Sequence, residues 1–336
     1  MKHISLILLT LLFGALAPAG ADTADALLAR AMSSDSGASY AGVVEVVRIG
    51  ERESEASVYR IEHRAPDLTR RLYTAPAALS GDAIVSKGDV SFSIDAKRRR
   101  IVETRNDALD DRIARNDNYL LLRANYRAVE RGIESFDGRP TVDITLINRY
   151  SHRPAMLVRI DRQSRVVLDR EEFSPDGALV SEIRFTEIRY TTPIPQTDFE
   201  LPKTYALVQG PTFAQPSENA SVIIQHAGFA AREPKSLPEG FSPVEGTLIE
   251  LRGVRTVHLL YSDGIRTVSL FESAKPVMPD MAHLDPQTTS VAGRSAQYGE
   301  EGALELLAWS DGSLSYTLVG ELGRAELARI AASVAP

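Results

Sequence analysis

The six histidines of this 336-residue chain stand at positions 3, 63, 152, 226, 258 and 283. No two fall four apart in a helical setting, and neither His-Glu-x-x-His nor His-x-His occurs, so spacing offers no zinc-type ligand pair. There is no cysteine, which removes thiolate nucleophiles, thiolate metal sites and disulfides together. A Gly-x-Ser-x-Gly elbow, a P-loop and a Gly-x-Gly-x-x-Gly turn are also missing. The acidic pairs Asp110-Asp111 and Glu171-Glu172 are sequence neighbours, and on a strand neighbours point to opposite faces. A carboxylate pair assembled by the fold, as in glycosidases, is the enzymatic route this leaves open. The expectation is a protein that is not an enzyme and uses no cofactor and no metal.

The remaining chemistry is contact. In "GVVEVV", Val44 and Val46 take one strand face while Val43 and Val47 take the other. Two-sided apolarity in an antiparallel strand requires both faces to be covered, either by a sandwich core or by a greasy cavity for acyl chains or an apolar peptide. Val142, Ile144, Leu146 and Asn148 alternate against Thr141, Asp143, Thr145 and Ile147. With Leu120 and Leu122, the residues Val44, Val46, Val142, Ile144 and Leu146 are the candidate lipid contacts. A second set comes from "LLYSDGIRTVSLFE", residues 259–272, where Asp-Gly between apolar runs signals a β-hairpin. It nominates His258, Tyr261, Asp263, Phe271 and Glu272 as candidate partner contacts. His258 stands on the face opposite Val257, Leu259 and Tyr261, where a packed or half-exposed strand histidine is the plain reading.

The elements that must position these residues are mostly strands. Residues 23–33 read as a helix with Asp22 or Thr23 as cap and Leu27, Leu28, Ala31 and Met32 on one face. Short β-branched runs separated by turn residues then follow, with no room for crossover helices, so the sheet should be an antiparallel meander. Residues 105–124 break the period of two and read as short helices. Three prolines in 191–205 and two in 209–220 mark a stiff, extended linker, and the domain boundary is set at 204–220. In the second domain the segment from Ser221 is open between helix and strand. "WSDG" at 309–312 repeats the "YSDG" of 261–264, and residues 324–334 form an amphipathic helix with Leu327, Ile330 and Val334 on one face.

The first 21 residues have the apolar run and the small-residue exit, Ala19-Gly20-Ala21, of a secretory signal peptide. No other stretch approaches the length of a membrane span. A soluble, exported, periplasmic protein is expected. Residues 22–203 hold 28 Lys and Arg against 30 Asp and Glu, a balance of −2, whereas residues 204–336 hold 9 against 15, a balance of −6. Without a concentrated basic surface, nucleic acid is not an expected partner. The single basic run, 97–100, reads as a solvated turn and strand edge, with an anionic contact as its alternative.

"LPEGF" followed by "VHLLYSDGIRTVSLFE" resembles the C-terminal module of the MucB/RseB family, periplasmic regulators of the envelope-stress sigma factor. "YAGVVEVVR", "NYRAVERGIESFDGRPTVDITL" and "LDREEFSPDGALVSEIRFTEI" resemble that family's N-terminal half, so the likeness spans nearly the whole mature chain in order. It departs at "NRYSHRPAMLVRID", where Arg149-Tyr150 stands in the place of the family's aromatic and Arg-Tyr residues. The resemblance implies a mostly β fold with some helix. Residues 22–203 would form an unclosed antiparallel β-barrel of LolA type covered by helices, and 221–336 a smaller α+β domain. It implies a negative regulator that binds the periplasmic segment of a single-span anti-sigma factor and shields it from proteolysis. Release would follow binding of lipid, lipopolysaccharide or mislocalised lipoprotein. A plain periplasmic lipoprotein or lipid carrier is the rival reading, and a homo-oligomer is compatible with either.

Overall fold

Thr23 opens the first helix, its hydroxyl accepting the amide of Ala26 at 3.2 Å. The helix, α1 (Ala24–Met32), buries Leu27 and Leu28 at the expected spacing. The computed structural model of the protein describes residues 23–32, 37–50, 54–88, 90–105, 116–190, 194–210, 219–251, 253–275, 279, 281–301 and 304–334. The expected signal segment lies outside the described residues, as does half of the irregular segment at 105–124, residues 106–115. What is described of the latter is one helix, α2 (Asn116–Asn125). Among the described residues no helix is long and apolar enough to cross a membrane.

Among the described residues the β-branched runs of the first domain form twelve strands. They are β1 (Tyr40–Ile49), β2 (Ser54–Arg64), β3 (Leu68–Ala75), β4 (Ala83–Lys87), β5 (Val90–Asp95), β6 (Arg100–Arg105), β7 (Tyr126–Phe136), β8 (Arg139–Asn148), β9 (Pro154–Asp161), β10 (Val167–Phe173), β11 (Leu179–Arg189) and β12 (Ala206–Gln209). Their order is β12-β6-β5-β4-β3-β2-β1-β11-β10-β9-β8-β7, two meanders joined where β1 pairs with β11. The sheet is unclosed, with β12 and β7 as its edges. Every pairing is antiparallel except β12 with β6. This corrects the expected linker: "ALVQ", inside the stretch read as a stiff spacer, lies parallel against the edge strand. Four apolar and amide-bearing residues between prolines suffice to extend a free edge.

The period of two sorts the sheet into an apolar and a charged face. On the apolar face Val142, Ile144 and Leu146 stand across from Ile160, Val158 and Met156, all essentially buried, with α1 and α2 packed over them. Beside them Val44 meets Tyr59, Phe185 and Leu168. Beyond that, Val85, Ile94 and Ile101 are covered by Phe199 from a single helical turn, Gln196–Phe199. On the opposite face one register row reads Glu45, Arg184, Asp169, Arg159, Asp143 from β1 to β8. The signs alternate, with Arg184 3.0 Å from Glu45 and Arg159 2.8 Å from Asp143, so each cross-strand neighbour is an opposite charge.

Among its described residues the second domain has seven antiparallel strands, β13 (Ser242–Leu251), β14 (Val254–Ser262), β15 (Thr267–Ser273), β16 (Gln287–Val291), β17 (Arg294–Glu301), β18 (Leu304–Ser310) and β19 (Ser315–Gly320). Their order is β13-β14-β15-β19-β18-β17-β16. The undecided segment after the linker is a helix, α3 (Ala220–His226), capped by Asn219, whose side chain accepts the Ser221 amide at 3.0 Å. The final helix, α4 (Arg324–Val334), lays Leu327, Ile330 and Val334 on the sheet as its spacing requires. The core holds Trp309 stacked on Tyr316 at 5.0 Å.

Candidate functional site

Two turns in the second domain share a grammar and a geometry. In the β14–β15 turn, Asp263 Oδ1 accepts the amides of Ile265 and Arg266 at 2.9 and 2.8 Å. Ser262 Oγ donates to Arg266 O and accepts the Gly264 amide, both at 2.9 Å. In the β18–β19 turn, Asp311 Oδ1 accepts Ser313 and Leu314 at 2.9 and 2.8 Å, and Ser310 makes the same pair of bonds to Leu314 O and Gly312 N. Both glycines lie at positive φ, +100° and +93°, the conformation such a turn demands.

The turns differ in where the second carboxylate oxygen goes. Asp311 Oδ2 accepts Tyr316 Oη of its own domain at 2.9 Å. Asp263 Oδ2 accepts Tyr126 Oη of the first domain at 2.5 Å, with both residues buried. The contact is broad. Asn125 Nδ2 donates to Asp263 O at 2.9 Å and to Gly240 O of "LPEGF" at 2.8 Å. Tyr150 Oη donates to Asn125 Oδ1 at 3.2 Å, and Arg266 Nη2 donates to Phe173 O at 2.9 Å. Ile265 joins the apolar cluster of Leu27, Leu28, Leu122 and Ile144. Gly264 lies so close to α2 that a Cβ there would sit 2.4 Å from the Leu122 amide nitrogen. The turn of the second domain is thus seated in the core of the first, under the same helix that roofs the apolar face.

Electrostatics follow from burial. Burial, and then the Asp263 carboxylate, hold the Tyr126 phenol protonated well above its usual range. Burial pushes the Asp311 carboxyl up, but the amides and hydroxyls it accepts outweigh this and hold it below the usual carboxylate range. Glu272 is fully buried, accepts the Arg232 amide on both oxygens at 3.0 Å, and is pushed by burial up to about 8. Among the described residues no three histidine or carboxylate side chains are grouped to hold a metal ion.

The structure sorts the candidate residues. Val142, Ile144, Leu146 and Leu122 come together in one cluster with no exposed surface to speak of, and Val44 is buried in the adjoining one with Val46 half-buried beside it. Leu120 is corrected: it is 64% exposed, on the far side of α2 from Leu122. On a helix, residues two apart do not share a face, so Leu120 and Leu122 cannot both line the apolar face. In the second set, Tyr261, Asp263 and Glu272 are buried, and the exposed docking role expected of Asp263 is taken up by the first domain. His258 and Phe271 are half-buried and stack face to face at 4.4 Å, with His258 Nε2 3.0 Å from Ser269 Oγ. Sequence reasoning missed Asn125, Tyr126 and Gly240, whose partners lie 115 to 138 residues away.

A family model described as the MucB/RseB N-terminal domain matches residues 23–203. The chain belongs to the MucB/RseB family. The second part of this MucB/RseB chain, residues 231–334, matches a model described as a domain of unknown function, DUF4367. Among curated proteins, none matches the sequence. Among solved structures it is similar to the MucA/MucB complex of Pseudomonas aeruginosa, at 18% identity and a TM-score of 0.65, over 93% of this chain and 98% of that one. It is also similar to MucB in complex with MucA(peri), at 18% identity and TM-score 0.61, over 92% and 96%, and to MucB solved alone, at 18% and 0.54, over 94% and 98%. The likeness extends over both domains, so the two-domain MucB architecture is present here in full.

Proposed function

We propose that this protein is a periplasmic negative regulator of an envelope-stress sigma factor. It would bind the periplasmic segment of a single-span anti-sigma factor and guard it from proteolysis, acting by contact and not as an enzyme. The observation that carries the reading is the fold match over both domains to a MucB solved with MucA. The second domain's balance of −6 over residues 204–336 favours a basic segment as the partner. Lipid or lipoprotein acyl chains under α1 and α2 would compete with Leu122 and Ile265 for the same apolar face. A lipid acting there shifts the equilibrium only by its differential affinity for the docked and undocked arrangements.

The test is calorimetry of the purified protein with the periplasmic segment of its cognate anti-sigma factor, with and without lipid A or a lipopeptide. Binding that lipid weakens supports a sensor working by release, and added salt is expected to weaken it as well. Absence of peptide binding together with stoichiometric lipid uptake would replace this reading with that of a carrier.

A further inference from the structure

We propose that a pocket beside the β8–β9 turn binds a phosphate-class anion through Arg127, Arg149 and His152. The pocket has a volume of about 200 Å³ and is lined by Arg127, Ile147, Asn148, Arg149 and His152. Arg127 and Ile147 face each other across β7 and β8. The remaining residues belong to a turn held by its own backbone. Asn148 Oδ1 accepts the amides of Tyr150 and Ser151, both at 2.9 Å, and Asn148 O accepts the His152 amide at 2.9 Å. The Arg149 amide donates to Asn125 O at 2.8 Å, tying the turn to the end of α2. The scaffold is therefore fixed while the three side chains remain exposed.

Elsewhere in the sheet, arginines end on carboxylates: Arg139 on Asp161, Arg159 on Asp143, Arg184 on Glu45. Arg127, Arg149 and His152 have no carboxylate within ion-pair distance among the described residues. Two guanidinium groups lining one small space repel each other when it holds only water, and an entering anion relieves that repulsion, with the imidazole as a further hydrogen-bonding group. Guanidinium forks match phosphate oxygens bidentately, and two of them meet the double charge of a phosphate monoester. The pocket is open on one side, so an ester substituent has a way out to solvent. A lipid headgroup and a free phosphate present the same chemistry here.

The inference does not rest on the regulator reading, because its pocket is lined by none of the residues of the apolar cluster under α1 and α2 and its test needs no peptide. Its test is calorimetry at constant ionic strength on the full chain. The probes are inorganic phosphate, a short-chain phosphatidic acid below its micelle concentration, and the matched uncharged diacylglycerol. Binding of phosphate and phosphatidic acid alike assigns the site to the free group, and tighter binding of phosphatidic acid than of either other probe assigns it to the headgroup. In both cases R127Q and R149Q are expected to weaken binding about tenfold each, as loss of a charge-assisted bond implies. The exposed Arg48→Gln change is expected to leave it unaltered. No binding of either phosphate probe, binding unaltered in the double variant, or occupancy by an acidic peptide in place of phosphate would overturn the proposal.

Discussion

Tyr126 of the open-sheet domain donates its hydroxyl to the Asp263 carboxylate of the second domain across 2.5 Å, though the two are 137 residues apart in sequence. Both are buried, so the bond is sealed from water and forms only when the domains are docked. Removing one partner leaves a buried acceptor unsatisfied.

Tyr126→Phe is therefore predicted to destabilise the docked state by about 1–3 kcal/mol. The readout is faster proteolytic cleavage between the domains and a larger radius of gyration by small-angle scattering. Tyr316→Phe is the matched control, since it removes the equivalent bond to Asp311 inside the second domain. It is expected to lower the stability of that domain with docking unchanged. Equal effects of both variants on scattering would count against a docking role for Tyr126.

Gly264→Ala and Gly312→Ala form a second matched pair. Both glycines sit at positive φ, so both variants carry the same backbone penalty, about 1 kcal/mol. At Gly312 nothing lies within 4 Å of an added Cβ, whereas at Gly264 the Leu122 backbone is 2.4–2.6 Å away. Gly264→Ala should undock the domains as well as strain the turn, and Gly312→Ala should only strain it. Amide exchange in α2 distinguishes them, with faster exchange expected for the Gly264 variant alone.

These two predictions rest on features of unequal visibility in the sequence. The Asp-Gly turns, the meander, the period-two burial of Val142, Ile144 and Leu146 and the closing helix were all legible, because each is written in neighbours within a few residues. The destination of the first turn was not. "YSDG" and "WSDG" read alike, and what separates them is a tyrosine and an asparagine more than a hundred residues upstream. The helix at 116–125 was expected, but which of its faces turns inward was not legible, so Leu120 was grouped with Leu122 although it points outward; at Ala206–Gln209 edge pairing overrode proline-rich surroundings.

The stability of the second domain is predicted to fall as pH rises from about 4.5 to about 8. Burial raises the folded-state value of Glu272 to about 8, above its ordinary 4.5. A raised carboxyl contributes fully below the unfolded value, and that contribution is lost as pH climbs through the folded one. Melting temperatures taken from about pH 5 to pH 9 should drop in the wild type, by the equivalent of a few kcal/mol at most. Glu272→Gln keeps an acceptor for the Arg232 amide and cannot ionise, so its curve should be flatter. Parallel curves would show that Glu272 does not titrate in this range.

Ile144→Ala tests whether the apolar face is packed core or preformed space. Ile144 is 0% exposed among Leu27, Leu28, Leu122 and Val158. Loss of a packed side chain costs about 2–5 kcal/mol, measured by urea unfolding. A change under about 1 kcal/mol would mean that the side chain borders a void already.

The parallel strand β12 has a mechanical consequence. The chain leaves the twelve-stranded sheet at one edge, beside β6, and its second domain is seated near the other, at the junction of α2 and β7. Laid flat, those edges would be about 50 Å apart at 4.8 Å per strand. The eleven-residue step from Gln209 to Ala220 reaches at most about 40 Å. The second domain is thus the strap across a broken hoop, fastened at one rim by a covalent tether and at the other by a buckle of Asn125, Tyr126 and Leu122. Widening the hoop pulls on both fastenings, and the buckle, held by non-covalent bonds, is the end that can let go.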